Sequence, residues 1–359
     1  MNATSPNILE IGLIPLMRAG FPGTTEFWSI HHDVAAPPGP RSRTLSVATL
    51  PLLARRIADP SFDLIVVQPT HHAPWSLRWL SRGIFRRSAL RGSIPYFRVF
   101  GTELLRGPLG APLAVWDWDD QPFIFRHNLF LLRRSTLYFK RELPTDHWRL
   151  YMGSRHFRVP PMRFRLLSKE RMNIAKVRPI SIGLPNDHLK NIPARPLPAA
   201  EKTADVFFAG RIVGSATTRE HGLDEVRALQ DKGIRVDIPD RELSVAEFLD
   251  RCARAWLVWS PEGFGHECFR TYEAAACGAV PIVNRPTIHQ YRPLRDREHC
   301  YLYDVEPGGL TRVIEAALED RDRLMAMSVA AQDFVLAHHT HAALAHYVAE
   351  TTLAAASGR

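Results

Sequence analysis

Residues 260–283 read SPEGFGHECFRTYEAAACGAVPIV, and their order decides the fold. The apolar run Ala255–Trp259 (AWLVW) leads into them; it is too short for a helix and ends at a glycine-rich turn, so it reads as a buried strand. Gly263 and Gly265 make a loop whose backbone can approach a ligand closely. From Phe269 to Cys277 the spacing is helical, and Gly278 stops it. Ala279–Val283 (AVPIV) is the next short apolar run. Strand, loop, helix and strand form one unit of a parallel sheet with a right-handed crossover, and such sheets bind ligands at the carboxyl ends of their strands. The free N–H groups that open the helix suit a phosphate. Glu273, one turn along, is a carboxylate able to accept both hydroxyls of a ribose. A plain strand–loop–helix unit with surface charges is the alternative, because glycine-rich loops often match by chance.

The same alternation extends outward in both directions. Ala204–Ala209 (ADVFFA), Ile234–Ile238 and Cys300–Tyr303 read as strands, and Arg219–Lys232, Ser244–Arg254 and about Gly309–Asp320 as helices. Ser244 with Glu247 three residues later forms a capping box. The first half repeats the theme with strands at Ile8–Ile14, Phe62–Val67, Pro112–Trp116, Thr136–Phe139 and Val177–Ile182, and helices at Leu45–Ala58 and Trp75–Arg87. Pro193–Ala204 is rich in Pro and Ala, lacks periodicity and reads as a linker. The final segment, about Ser328–Leu353, is expected to be long and helical. The fold class is therefore α/β, with two Rossmann-like domains facing a cleft: 1–195, 203–335, and a C-terminal segment 336–359 crossing back to the first domain.

The 359 residues suit about two domains. The net charge of +9 is unevenly spread: residues 1–200 hold 28 Lys and Arg against 13 Asp and Glu, a balance of +15, and the remainder carries −6. A basic first half calls for an anionic partner there, nucleic acid or a membrane surface. The absence of a nucleic-acid motif and the acidic second half disfavour nucleic acid. Cys252, Cys268, Cys277 and Cys300 show no metal-ligand spacing and read as reduced thiols. With no cationic leader region, and an N-terminal apolar stretch broken by Glu10 and Pro15, the expectation is a cytoplasmic protein, peripheral at the inner face of the plasma membrane.

The segment EGFGHECFRTYEAAACGAVPIV resembles the donor-binding segment of GT-B glycosyltransferases, the group-1 and exostosin-like families. Those carry a glycine-rich loop, a helix of the type E-A-x-A-x-G and a strand of the type x-P-V-I, matched here by Glu273–Gly278 and Val280–Val283. The resemblance covers about residues 203–340. It implies a nucleotide-sugar donor bound by the C-terminal domain, with Glu273 on the ribose. The family's sugar-contacting glutamate lies eight positions before the helix glutamate, where this chain has Gly265; Glu262, His266 and Glu267 are the alternatives for that contact. Arg270 with Glu273 is similar to the exostosin-like R-x-x-E-A. Gly210 and Arg211 resemble the Gly-Arg beside the donor diphosphate, and Arg219 resembles the arginine that opens the next helix. The resemblance implies a glycosyltransferase without metal or other cofactor, serving cell-envelope polysaccharide or glycolipid synthesis with a glycan or lipid-linked acceptor. A non-catalytic relative and a nucleotide-sugar epimerase of the same fold are the alternatives.

Candidates for acceptor chemistry lie at strand ends of the first half. His71 and His72 follow FDLIVVQPT, and Asp117, Asp119 and Asp120 follow PLAVW. Asp119, Asp120 or His72 can serve as a general base on the acceptor hydroxyl; capping of a helix beginning near Pro122 is the structural alternative. Asp117-Trp118-Asp119 matches the metal-binding D-x-D string, but the flanking pattern argues against that use. Trp75–Arg98 places Arg78, Arg82 and Arg86 on one helical face among tryptophans, a pattern suited to an anionic bilayer as well as to a solvated outer helix. His338, His339 and His341 are expected as solvated imidazoles at a helix junction.

Overall fold

The computed structural model describes residues 5–30, 36–71, 100–152, 171–212 and 217–358. Within it the chain forms two compact units: Met1–Ile180 with Leu344–Arg359, and Ser181–Ala343. The expected helix Trp75–Arg87, with Arg78, Arg82 and Arg86, lies outside the described residues, as does His72.

The first unit is a seven-stranded parallel sheet of order β3-β2-β1-β4-β5-β6-β7. Its strands are β1 (Ile8–Gly12), β2 (Thr25–Ser29), β3 (Ser42–Thr44), β4 (Leu64–Val67), β5 (Leu113–Asp117), β6 (Leu137–Lys140) and β7 (Val177–Pro179). Helices α1 (Met17–Gly20), α2 (Leu50–Ile57), α3 (Leu129–Arg134) and α4 (Arg171–Ile174) lie between them. β1, β4 and β5 are buried at every position, as central strands covered on both faces must be. Strands β2 and β3 were not expected, because TEFWS and SRT mix polar residues into runs too short for a periodic signal. The helix expected from Leu45 starts at Leu50; a 3₁₀ turn, capped by Ser46 and Thr49 onto each other, precedes it. Glu10, which interrupts the apolar run, is fully buried in β1, and burial pushes its carboxyl up to about 8. One oxygen still accepts from the N–H groups of Leu16 and Met17 at 2.6 and 3.1 Å.

The second unit is a five-stranded parallel sheet of order β12-β11-β10-β8-β9. It comprises β8 (Ala204–Phe207), β9 (Val236–Asp237), β10 (Ala255–Trp259), β11 (Val280–Asn284) and β12 (Tyr301–Tyr303). Its helices are α5 (Thr217–Ala228), α6 (Val245–Ala253), α7 (Phe269–Ala276), α8 (Gly309–Leu318) and α9 (Arg321–His338). The capping box on α6 is present in both directions, Ser244 Oγ accepting from Glu247 N and the Glu247 carboxylate from Ser244 N. Gly222 sits inside α5 because a Cβ there would meet the Trp259 ring at 2.2 Å. Gly278 ends α7 at φ +78, where a Cβ would also strike Pro196 at 2.7 Å.

The Pro- and Ala-rich stretch 193–204 lies inside the second unit, pinned by specific contacts. Ile192 and Leu197 pack on the cluster of Phe207, Leu249 and Val258, and Gln332 donates to Pro193 O at 2.9 Å. Lys202 is buried, and its Nζ donates to the carbonyls of Ala253, Ala255 and Gly278 at 2.9, 2.9 and 2.8 Å. Burial pulls its ammonium down to about 8. Replacing it leaves three carbonyls without their donor, so Lys202→Met is expected to cost about 3 kcal/mol or more of unfolding free energy, read by urea titration. A loss under about 1 kcal/mol would contradict this account.

The C-terminal segment is two helices, α9 and α10 (His341–Ser357), that meet at the expected histidine junction. The break at His339–Thr340 arises because Leu184 takes the backbone groups there: Leu184 N donates to His339 O at 2.6 Å, and His341 N donates to Leu184 O at 3.0 Å. Two of the three imidazoles, His339 and His341, are not solvated. His339 is fully buried, with Nδ1 2.9 Å from Ser181 Oγ and Nε2 2.9 Å from Arg292 O. His341 is 7% exposed, with Nε2 3.3 Å from Ile182 O. Burial pulls the two rings down to about 3 and about 4.

Candidate functional site

The stretch SPEGFGHE leaves the carboxyl end of β10 as a loop and enters α7 at Phe269. Arg219, 8% exposed near the start of α5, holds this loop in place. Its guanidinium donates to Glu262 O at 2.8 Å, Arg211 O at 2.9 Å and Cys268 Sγ at 3.4 Å. A Cβ at Gly263 would stand 2.7 Å from Arg219 Nη2, so the glycine makes room for the arginine. All of Arg219's described bonds go to the protein, which makes it a scaffold for the loop.

Arg270 is the second residue of α7 and is 9% exposed. Its Nε donates to Ala209 O at 2.9 Å, and its plane sits 4.9 Å from the Phe208 ring centre. Among the described residues Nη1 has no hydrogen-bond partner. Burial pulls the guanidinium below its ordinary range. A Cβ at Gly210 would approach Arg270 Nη2 to 2.1 Å, so the absent side chain at Gly210 is what admits the guanidinium. A buried guanidinium with an unsatisfied N–H is costly unless an anion completes it.

A cavity of about 700 Å³ is lined by Gly210, Arg211, Pro239–Leu243, Phe248 and Glu273, and Arg270 packs behind it against Ala209 and Gly210. Glu273 is 7% exposed, and His188 Nδ1 lies 3.0 Å from its Oε1. That contact raises His188 above the ordinary imidazole range. His188 was not read from the sequence, because it falls in an aperiodic stretch far along the chain from α7.

The three alternatives for the sugar contact separate. Glu267 is spoken for: Oε2 accepts from Ile182 N and Oε1 from Tyr272 OH, both at 2.7 Å. His266 is buried, with Nδ1 3.6 Å from Glu262 Oε2. Glu262 keeps a half-buried carboxylate, held below its usual range chiefly by His266. Gly265 lies in the same loop, and its O accepts from Gly263 N at 2.9 Å.

In the first unit the acidic group follows β5. Asp117 is turned into the sheet, where its carboxylate accepts from Tyr138 OH at 2.6 Å and from the fully buried Lys140 Nζ at 3.1 Å. Asp119 Oδ2 lies 2.8 Å from His71 Nδ1 and Oδ1 accepts from Gln121 N at 2.8 Å. The Asp119 hydrogen bond raises His71 above its ordinary range. Asp120 pairs with the buried Arg141. No helix begins near Pro122; the next helical turn is Arg126–Asn128, so these acids cap turns instead. Among the described residues no group of three His, Cys, Asp or Glu is spaced to hold a metal, and no helix is long and apolar enough to cross a membrane.

Residues 244–350 match the family model described as glycosyl transferase-like. No curated protein matches the chain. Among solved structures the chain is similar to sucrose-phosphate synthase from Thermosynechococcus elongatus, at 13% identity and TM-score 0.54, covering 98% of this chain and 100% of that one. An alpha-glucosyltransferase in complex with UDP and a 13-mer DNA matches at 11% and 0.57, covering 98% and 100%. HepE of Anabaena in complex with UDP and glucose matches at 12% and 0.51, covering 96% and 98%. The chain therefore has the GT-B fold, and its residues 244–350 match the glycosyl transferase-like family.

Proposed function

We propose that this protein is a glycosyltransferase that binds a nucleotide sugar in its second unit and transfers the sugar to an acceptor hydroxyl without a divalent metal. The observation that carries the reading is Arg270, a buried guanidinium with an N–H unpartnered among the described residues, set against the Gly210 backbone on the helix that bears Glu273. Glu273 accepts the ribose hydroxyls. Arg211 and Arg270 face the diphosphate together with the N-terminus of α7. Negative charge grows on the leaving diphosphate as the sugar–phosphate bond breaks, and each preorganised donor aimed there supplies on the order of 2–4 kcal/mol. Glu262, half-buried with Thr218 Oγ1 at 3.4 Å and His266 beside it, is the candidate that contacts the sugar.

On the acceptor side the reading uses His71 with Asp119. Asp119 fixes the ring through Nδ1 and strengthens it as a base, so the imidazole takes the hydroxyl proton. The +15 balance of residues 1–200 fits an acceptor bearing phosphate, such as a lipid-linked glycan at an anionic membrane face. HepE and the alpha-glucosyltransferase were each solved with UDP, which makes a uridine donor the first to try.

The test is a thermal-shift screen of UDP-, GDP-, ADP- and CDP-sugars with and without EDTA, on wild type and Glu273→Ala. At about 100 times Kd a ligand adds about 2.7 kcal/mol. A shift with one nucleotide, indifferent to EDTA and lost in Glu273→Ala, is the expected result. No shift with any of the four would sink the reading.

A further inference from the structure

We propose that His188 is a positioning residue for the donor site: in its protonated form it orients the Glu273 carboxylate toward the ribose. The inference rests on the reading of Glu273 as the ribose ligand. His188 Nδ1 lies 3.0 Å from Glu273 Oε1, and its side chain is 15% exposed. The contact is a charge pairing at one oxygen without hydrogen-bond alignment, since Nδ1 has no hydrogen-bond partner among the described residues, and it leaves Oε2 for the vicinal hydroxyls. An imidazolium there biases the orientation of a carboxylate that no described hydrogen bond restrains. The role is that of an outer partner that orients a ligand-holding group without touching the ligand.

The segment that carries His188 is itself braced. Leu184 pairs with Thr340, Ile182 N donates to Glu267 Oε2, and His188 N donates to Pro185 O at 3.1 Å. Ile182 and Leu184 pack with Tyr272 and Ala275 of α7. The helix that bears Glu273 is thus tied to this segment through Glu267, through packing and through His188. The charged and titratable groups that bear on His188 are Glu273 from α7, Asp187 in its own segment and His341 at the start of α10. His341 is held neutral by burial down to about 4, so above that range Glu273 and Asp187 dominate and favour the imidazolium.

The sign follows. His188 is charged below its raised value and neutral above it, so donor affinity should be highest near pH 6 and fall as pH rises through that value. The probes are UDP-glucose, GDP-mannose and ADP-glucose, whose diphosphate diesters carry no group that titrates there. Affinity is measured by calorimetry at about pH 6 and about pH 8. For the probe that binds, wild type is expected to weaken about tenfold between the two, within the scale of one partly buried ion pair. His188→Ala should bind about tenfold more weakly than wild type at the lower pH and show little pH dependence. His188→Gln, which keeps a donor, should recover part of the affinity and also be flat. Unliganded melting points confirm that each variant folds. If His188→Ala matches wild type at both pH values while Glu273→Ala loses binding, the role of His188 is overturned and the donor-site reading survives. If Glu273→Ala binds as wild type, or none of the three probes binds, both fall.

Discussion

Arg270→Met is expected to abolish donor binding and to lower kcat/KM by about 10²–10³, while changing the stability of the unliganded protein by less than about 1 kcal/mol. The two halves of this expectation have one cause. In the empty protein Arg270 is desolvated with an N–H unpartnered among the described residues, so the fold gains little from its charge. Methionine fills similar volume against Phe208 and gives up the bond to Ala209 O, a loss offset by no longer burying a guanidinium. A diphosphate changes the balance, because it completes the donor that the protein leaves open. Arg270→Lys should fall between the two, since an ammonium keeps the charge and loses the planar fork. Urea titration without ligand and calorimetry with a nucleotide sugar separate the effects. An Arg270→Met protein that binds its nucleotide as wild type does, or one that loses several kcal/mol of stability, would show that Arg270 serves the fold and not a ligand.

Acidification should destabilise the second unit steeply between pH 7 and pH 5, by about 4 kcal/mol from His339 and His341 together. Both rings are buried, and their folded values of about 3 and about 4 lie below the unfolded value of about 6.5. A group whose folded value is depressed contributes stability that is fully present above its unfolded value and disappears as pH falls toward the folded one. The window therefore runs from about 6.5 down to about 4 for His341 and about 3 for His339. Nε2–H of His339 donates to Arg292 O, which leaves Nδ1 to accept from Ser181 Oγ; a second proton would turn that acceptor into a donor. Carboxylates also contribute to acid unfolding, so the informative quantity is the difference in slope between wild type and the double variant His339→Gln, His341→Gln. Equal slopes would refute the assignment.

The two predictions differ in how far the sequence alone reaches them. Arg270 and Glu273 stand out in a single stretch because chain order places a strand end, a glycine loop and a helix start together. The capping box of Ser244 and Glu247 is equally local and appears as read. The histidine junction is not local. His339 is buried because Leu184, more than a hundred residues earlier in the chain, pairs at that point and breaks the helix. Strands β2 and β3 escape notice for a related reason: pairing with β1 makes strands of segments whose own pattern is weak.

Sequence by itself determined what depends on short spacing: the parallel α/β class, the loop of Gly263 and Gly265, the helix bearing Arg270 and Glu273, and the glycine stops. Hydrophobic periodicity and backbone conformational limits act over a few residues, and a chain displays them directly. Tertiary structure alone decided which charges are used up and which remain. Glu267 is consumed by Ile182 N and Tyr272 OH, Asp117 by Lys140 and Tyr138, and Lys202 by three carbonyls, whereas among the described residues Arg270 keeps an open N–H and Glu273 lines a cavity. A polar side chain's role depends on whether its partners are already present, and those partners come from distant parts of the chain brought together only when the sheet forms.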